Sequence, residues 1–242
     1  MSVSWLLIVK FMEISLIKIY QQYGVPPNLA KHMITVAALG EIIFSHWTGV
    51  KIDQKRLVTI LLLHDIGNLV KFELDSESSN EMLQNSLPSL SQLKKPFEYW
   101  LKKQKQMIDK YTKNADLANL TIIKELGFSS DITDLMNDHS FESLENHLEL
   151  PRWEKKLIFY CDLRVTPHGL ASINARIQDL RERYHHRDQN WTDKKTFHKW
   201  LGSSLKLEKQ IDQHTNISLN QIQPSDLTPI INNLVEYTIE II

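Results

Sequence analysis

The chain has 242 residues, 42% hydrophobic and 24% charged, enough to bury a core in one large domain or two small ones. Only 7 glycines and 8 prolines occur, which argues for long regular elements and against a many-stranded β fold. The net charge is −1 with acids and bases interspersed, so the chain lacks the electrostatic footprint of a binder of long nucleic acid or of a membrane surface.

The N-terminal stretch MSVSWLLIVKFMEISLIKIY is apolar but interrupted by Lys10, Glu13 and Lys18. It has no small-residue cleavage site and is too short and charged to span a bilayer. Residues 7–23 form a candidate helix that stops near Gly24. Pro27 and Asn28 then open a second helix of about 20 residues through His32, Val36, Leu39 and Ile43. Asp53 is placed to cap a third helix, Gln54–His64, whose LVTILLLH run reads as fully buried, and Gly67 breaks the pattern.

Residues 72–95 are polar and serine-rich and read as a long loop or mobile lid with little core of its own. Helices are expected to resume at 97–111, at 114–126 before Gly127, and at 131–139. Another starts after Pro151, in the first-turn position that proline favours, and runs through Asp162; a further one covers 169–185. Ser225 or Asp226 caps a terminal amphipathic helix. The expected architecture is all-α: an N-terminal helix (1–24), one multi-helix domain (25–200), and a C-terminal helical extension (201–242) packed on it. The apolar tail LVEYTIEII is a candidate homodimer surface.

The lone cysteine, Cys161, has no internal disulfide partner, which fits a reducing, cytoplasmic setting. Beside Phe159 and Tyr160 it reads as a buried, unreactive thiol.

The segment LLLHDIGN, residues 61–68, carries the strongest chemical signal. An apolar helix that ends in adjacent His64 and Asp65 has a carboxylate to satisfy, and burying one without a partner is costly. Both side chains can lean toward one point off the helix end, where a divalent cation would satisfy them. The following glycine allows another group close approach. A pair that merely caps a core helix is the plainer reading of these two residues alone. His32, however, sits in a second apolar helix, and Asp162 again follows an apolar run, LIFYC. Two imidazoles and two carboxylates suit Mn, Mg, Co, Ni, Fe or Zn and not a soft metal.

The order H…HD…D, with HDIG at its centre, resembles the HD-domain superfamily of metal-dependent phosphohydrolases. So does YCDLRVTPHGLASINARIQDLRERY, residues 160–184, which is similar to the stretch around the last metal aspartate in a group of small HD proteins. The resemblance implies an HD-type helical domain with His32 as the first metal ligand, His64 and Asp65 as the signature doublet, and Asp162 as the closing aspartate. Members with two metals carry extra histidines between doublet and closing aspartate; His139 and His147 fall in that interval, His139 the better placed, and Asp116 stands where some relatives carry a histidine. It further implies a divalent-metal phosphohydrolase, a phosphomonoesterase or phosphodiesterase, acting on a nucleotide or other small phosphoester. Long nucleic acid and membrane are not expected as partners.

Asp65 is then expected to ligate the ion and position water, and Arg164 to contact the phosphate, as Lys71 could too. A structural ion pair is the competing reading of Arg164, and a solvated surface lysine that of Lys71. His46 is expected to be a packing histidine, His168 a loop histidine, and His185 and His186 surface residues. One departure stands out: Asn68 follows HDIG, where relatives often have lysine and some nucleotidases a glutamate as catalytic acid. A non-catalytic nucleotide- or metal-binding module is therefore the alternative.

Overall fold

The computed structural model describes residues 12–75, 77–137 and 140–241, excepting the side chains of residues 77 and 78. Pro27 fixes the first turn of the central helix, α2 (Pro27–Ser45), where its missing N–H costs nothing. Apolar residues surround this helix: Leu29, Met33, Ile34, Val36, Leu39, Ile43 and Phe44 are all buried. A helix buried over most of its surface belongs in the middle of a fold, and of its few polar positions Lys31 and His32 line a cavity. Around it pack α3 (Gln54–Leu63), α9 (Trp153–Leu163) and α12 (Pro224–Val235). Asp53 caps α3 as expected, accepting from the Arg56 N–H at 3.1 Å.

The remaining helices are α1 (Leu16–Tyr23), α4 (Glu77–Gln84), α5 (Phe97–Tyr111), α6 (Ala115–Glu125), α7 (Ser130–Met136), α8 (Leu144–Glu149), α10 (Ile173–Tyr184) and α11 (Lys194–Asp212). Two small antiparallel pairs join them: β1 (Met12–Ser15) with β4 (Thr238–Ile241), and β2 (Val165–Thr166) with β3 (Gly169–Leu170). The fold is all-α apart from these pairs. Among the described residues no helix is long and apolar enough to cross a membrane.

Three local expectations need correction. The first helix begins at Leu16, and residues 12–15 are extended against the C-terminus, with Met12 opposite Ile241 and Ser15 opposite Thr238; residues 7–11 lie outside the described part. The tail expected to be helical ends in a strand, because in YTIEI the β-branched Ile239 alternates inward between exposed Thr238 and Glu240. The serine-rich segment is also more than a loop. It holds α4 and a 3₁₀ turn over Pro88–Leu93, and Leu83, Leu90 and Leu93 are buried. Apolar residues spaced through a polar background anchor it to the core.

Helix α11 spans residue 200 without a break. Helix α12 opens with a capping box: the Gln223 N–H donates to Asp226 at 2.8 Å. The Gly24 N–H closes α1 with φ +68°, the left-handed conformation that glycine adopts without strain.

Candidate metal centre

His64 is the first residue past α3 and His32 lies on α2, so the pairing of these two buried helices brings the imidazoles together. Their rings meet edge to face with centroids 5.4 Å apart. Nε2 of His32 is 3.0 Å from Oδ1 of Asp162, at the end of α9. Nε2 of His64 is 3.6 Å from the same oxygen and 3.8 Å from Oδ2 of Asp65. His32, His64 and Asp65 each offer one ligand atom within 4.8 Å of the others.

The chemistry of His64 shows which cation suits this group. Its Nδ1 lies 2.7 Å from the Leu61 carbonyl, so the proton on that nitrogen is committed to the backbone. That leaves Nε2 as the free ligand atom, the arrangement in which metal-binding histidines are held. Nε2 is buried and has no hydrogen-bond partner among the described residues. The groups that face it are the Asp162 and Asp65 carboxylates at 3.6 and 3.8 Å, too far for a hydrogen bond, and a buried nitrogen so placed is best satisfied by a cation between them. Ligands about 2.1 Å from a shared ion lie about 3.0–3.4 Å apart at octahedral or tetrahedral angles, close to the separations seen here. The donor set therefore fits a borderline or hard divalent cation.

Electrostatics agree. Burial opposes a proton on His64, but the charge of Asp65 and the neighbouring Asp162 outweigh it and lift the imidazole to about 9. Burial would raise the Asp162 carboxyl, yet the two imidazoles beside it hold it well below the usual carboxylate range. Two carboxylates around partly buried imidazoles make a group that draws in positive charge.

The turn that carries the doublet is fixed by α6. The Gly67 N–H donates to Asn119 Oδ1 at 2.6 Å, and Asn119 Nδ2 donates to Asn68 Oδ1 at 3.2 Å. A Cβ on Gly67 would stand 2.9 Å from the Cβ of Ala118 and 3.0 Å from the Asn119 nitrogen. The close approach read from the glycine is thus that of the α6 backbone.

The cluster opens into a cavity of about 1170 Å³. Its lining includes the cations Lys31, Lys71, Arg176, Arg183 and Arg187, and four acidic residues, two of them in the cluster. Asp116 lines the cavity at the first turn of α6 but is not among the three residues whose ligand atoms converge. His139 lies outside the described residues. Lys71 is exposed at the edge of the cavity.

Arg164, expected at the phosphate, is turned away from this cavity and spent on structure. Its Nε donates to the Ala171 carbonyl at 2.6 Å, and its Nη1 to Glu208 at 3.0 Å and to the Tyr160 hydroxyl. It is 4% exposed and ties α9 to α11, the geometry of a structural ion pair. The arginine that faces the cluster is Arg176, in the same family-like stretch. Its spacing alone carried no signal, because which face of α10 turns inward depends on the β2–β3 hairpin before it. His46, His168, His185 and His186 do not line the cavity, and burial pushes the Cys161 thiol up, consistent with an unreactive group.

These features define a helical domain with a His/Asp cluster that could hold a metal ion. A family model described as the HD domain matches residues 29–162, more than half of the chain, and this chain belongs to the HD-domain family. HD domains are in general metal-dependent hydrolases, and the matched span begins just before His32 and closes on Asp162. No curated protein and no solved structure gives a significant match.

Proposed function

We propose that the protein is a divalent-metal-dependent phosphohydrolase acting on a nucleotide or another small phosphoester, with the ion held by His32, His64, Asp65 and Asp162. The observation that carries this reading is the convergence of His64 Nε2, His32 Nε2 and the Asp65 and Asp162 carboxylates, with His64 Nε2 just beyond hydrogen-bond reach of both carboxylates, at the wall of a cavity that also holds several cationic side chains. A bound divalent ion would supply a polarised phosphoryl oxygen and a water of lowered pKa. The chain's own residues do the rest. Asp65, 26% exposed at its side chain, has an oxygen available to orient a water. Lys31, Arg176 and Arg183 line the same cavity and can supply the positive charge that phosphoryl transfer requires around the ester's oxygens.

The experiment is a screen of phosphomonoesters, phosphodiesters and nucleotides with Mn, Co, Ni and Mg, each repeated after chelation. Metal-dependent phosphate release supports the reading. Turnover that survives chelation contradicts it.

A non-catalytic module is the second reading, favoured by one observation. Asn68, at the position where some relatives carry an acid, is 2% exposed and bonded to Asn119. It cannot titrate. Metal uptake and nucleotide binding with no product from any ester would establish that reading instead.

A further inference from the structure

Arg176 raises a question of its own. Its side chain is 9% exposed and lines the cavity beside the metal cluster. Nη1 is 3.2 Å from Asp179 Oδ2, one turn along α10. Nη2 is 3.9 Å from Asp162 Oδ1, at the outer limit of an ion pair, and that oxygen already faces two imidazoles. Nε is buried and has no partner among the described residues. A guanidinium cannot shed its charge, and a buried N–H left unpaired costs free energy. Asp179 does not consume the whole fork, since both its oxygens also accept from Arg183, at 3.1 and 2.7 Å. The Arg183–Asp179 pair instead holds Arg176 in position.

We propose that Arg176 binds the terminal oxygens of a phosphomonoester, with the ester's organic part lying along α10. This rests on the phosphohydrolase reading and names its substrate class. A planar fork with an unused edge matches a tetrahedral oxyanion, and arginine serves this role better than lysine because it presents two parallel donors. A phosphomonoester near neutral pH carries about −1.5 to −2 charge on three terminal oxygens, so it can meet a divalent ion and a guanidinium together. A diester has one oxygen and one charge fewer. Leu180, Arg183 and Tyr184 follow at four, seven and eight residues along α10 and line the same cavity. Those positions share a helix face, and at 1.5 Å per residue it extends about 12 Å beyond Arg176. That length accommodates an organic body of nucleoside size, with Phe159 one turn before Asp162 as an apolar wall.

The test titrates inorganic phosphate into the manganese-loaded wild type, Arg176→Gln and Arg176→Lys, with metal content and thermal midpoint measured on each. We expect Arg176→Gln to keep its metal and weaken phosphate binding at least about tenfold, the usual scale for a lost charged hydrogen-bonding partner. Arg176→Lys should recover only part, since it keeps the charge without the fork. Where Arg176→Gln lowers the thermal midpoint, Arg176→Lys carries the comparison. Steady-state kcat/KM should fall further on a monoester than on a diester of the same alcohol. Wild-type phosphate affinity in a folded Arg176→Gln or Arg176→Lys overturns the proposal. A wild type that hydrolyses no phosphoester overturns the phosphohydrolase reading instead, and the phosphate titration still decides the role of Arg176.

Discussion

Gly67 and Asn119 are joined by a 2.6 Å hydrogen bond, and the Gly67 Cα faces the α6 backbone too closely to carry a side chain. Through this contact α6, which contributes none of the converging ligands, sets the turn that aims His64 and Asp65.

Gly67→Ala should therefore damage the site from behind. Forcing a methyl group against Ala118 and the Asn119 backbone costs about 1–3 kcal/mol by analogy with overpacked cores. The expected outcome is a lower denaturant midpoint together with weaker metal binding. A variant with wild-type stability and metal affinity would show that α6 does not fix the turn.

Metal binding should release a proton. In the metal-free protein Asp65 and Asp162 keep His64 protonated up to about 9, and an ion at Nε2 must displace that proton. The sign follows directly. Affinity is weaker at low pH, rises as pH climbs through the neutral range, and levels off above the His64 value. The slope should be about one decade in affinity per pH unit, the signature of one displaced proton. Competition against a chromophoric chelator at several pH values measures this, and an affinity independent of pH over the neutral range would count against His64 as a ligand.

Arg164 should matter to folding and not to substrate. Its partner Glu208 is only 14% exposed, so Arg164→Ala leaves a nearly buried carboxylate without its counter-charge, held among the described residues by the Tyr160 hydroxyl alone at 2.8 Å, at a cost of up to about 3–5 kcal/mol. Chemical denaturation would register that loss, while phosphate affinity of the folded fraction should stay at the wild-type value. A stable variant with impaired phosphate binding would return Arg164 to the active site.

How far the sequence is legible depends on what each residue answers to. His64, Asp65 and Asp162 stand out in the sequence because polar residues at the ends of apolar runs have few structural explanations, and His32 because it interrupts an apolar helix. Central α2 and the α3 cap were readable from periodicity and a single Asp. Arg164 and Arg176 were not separable, since both are arginines close to Asp162 in sequence. Only the hairpin between them, and Glu208 from a distant helix, decides which one is consumed in the core. The β1–β4 pair was hidden for a related reason: each strand is four residues long and has meaning only against its partner at the other end of the chain.

The serine-rich segment illustrates the same limit and gives a further test. Its composition suggests a loop, but Leu83 is fully buried. Leu83→Ala should cost about 2–5 kcal/mol, as for other large-to-small changes in a core, and should make residues 77–93 newly sensitive to limited proteolysis. An unchanged unfolding midpoint would restore the free-lid reading.

The most direct test of the account is the metal content of the purified protein beside His64→Ala and Asp65→Ala, measured by mass spectrometry after dialysis. The expected result is a bound divalent ion in the wild type and its loss in both variants, each still helical by circular dichroism. Unchanged occupancy in both variants would contradict the metal site, and with it the functional reading built on it.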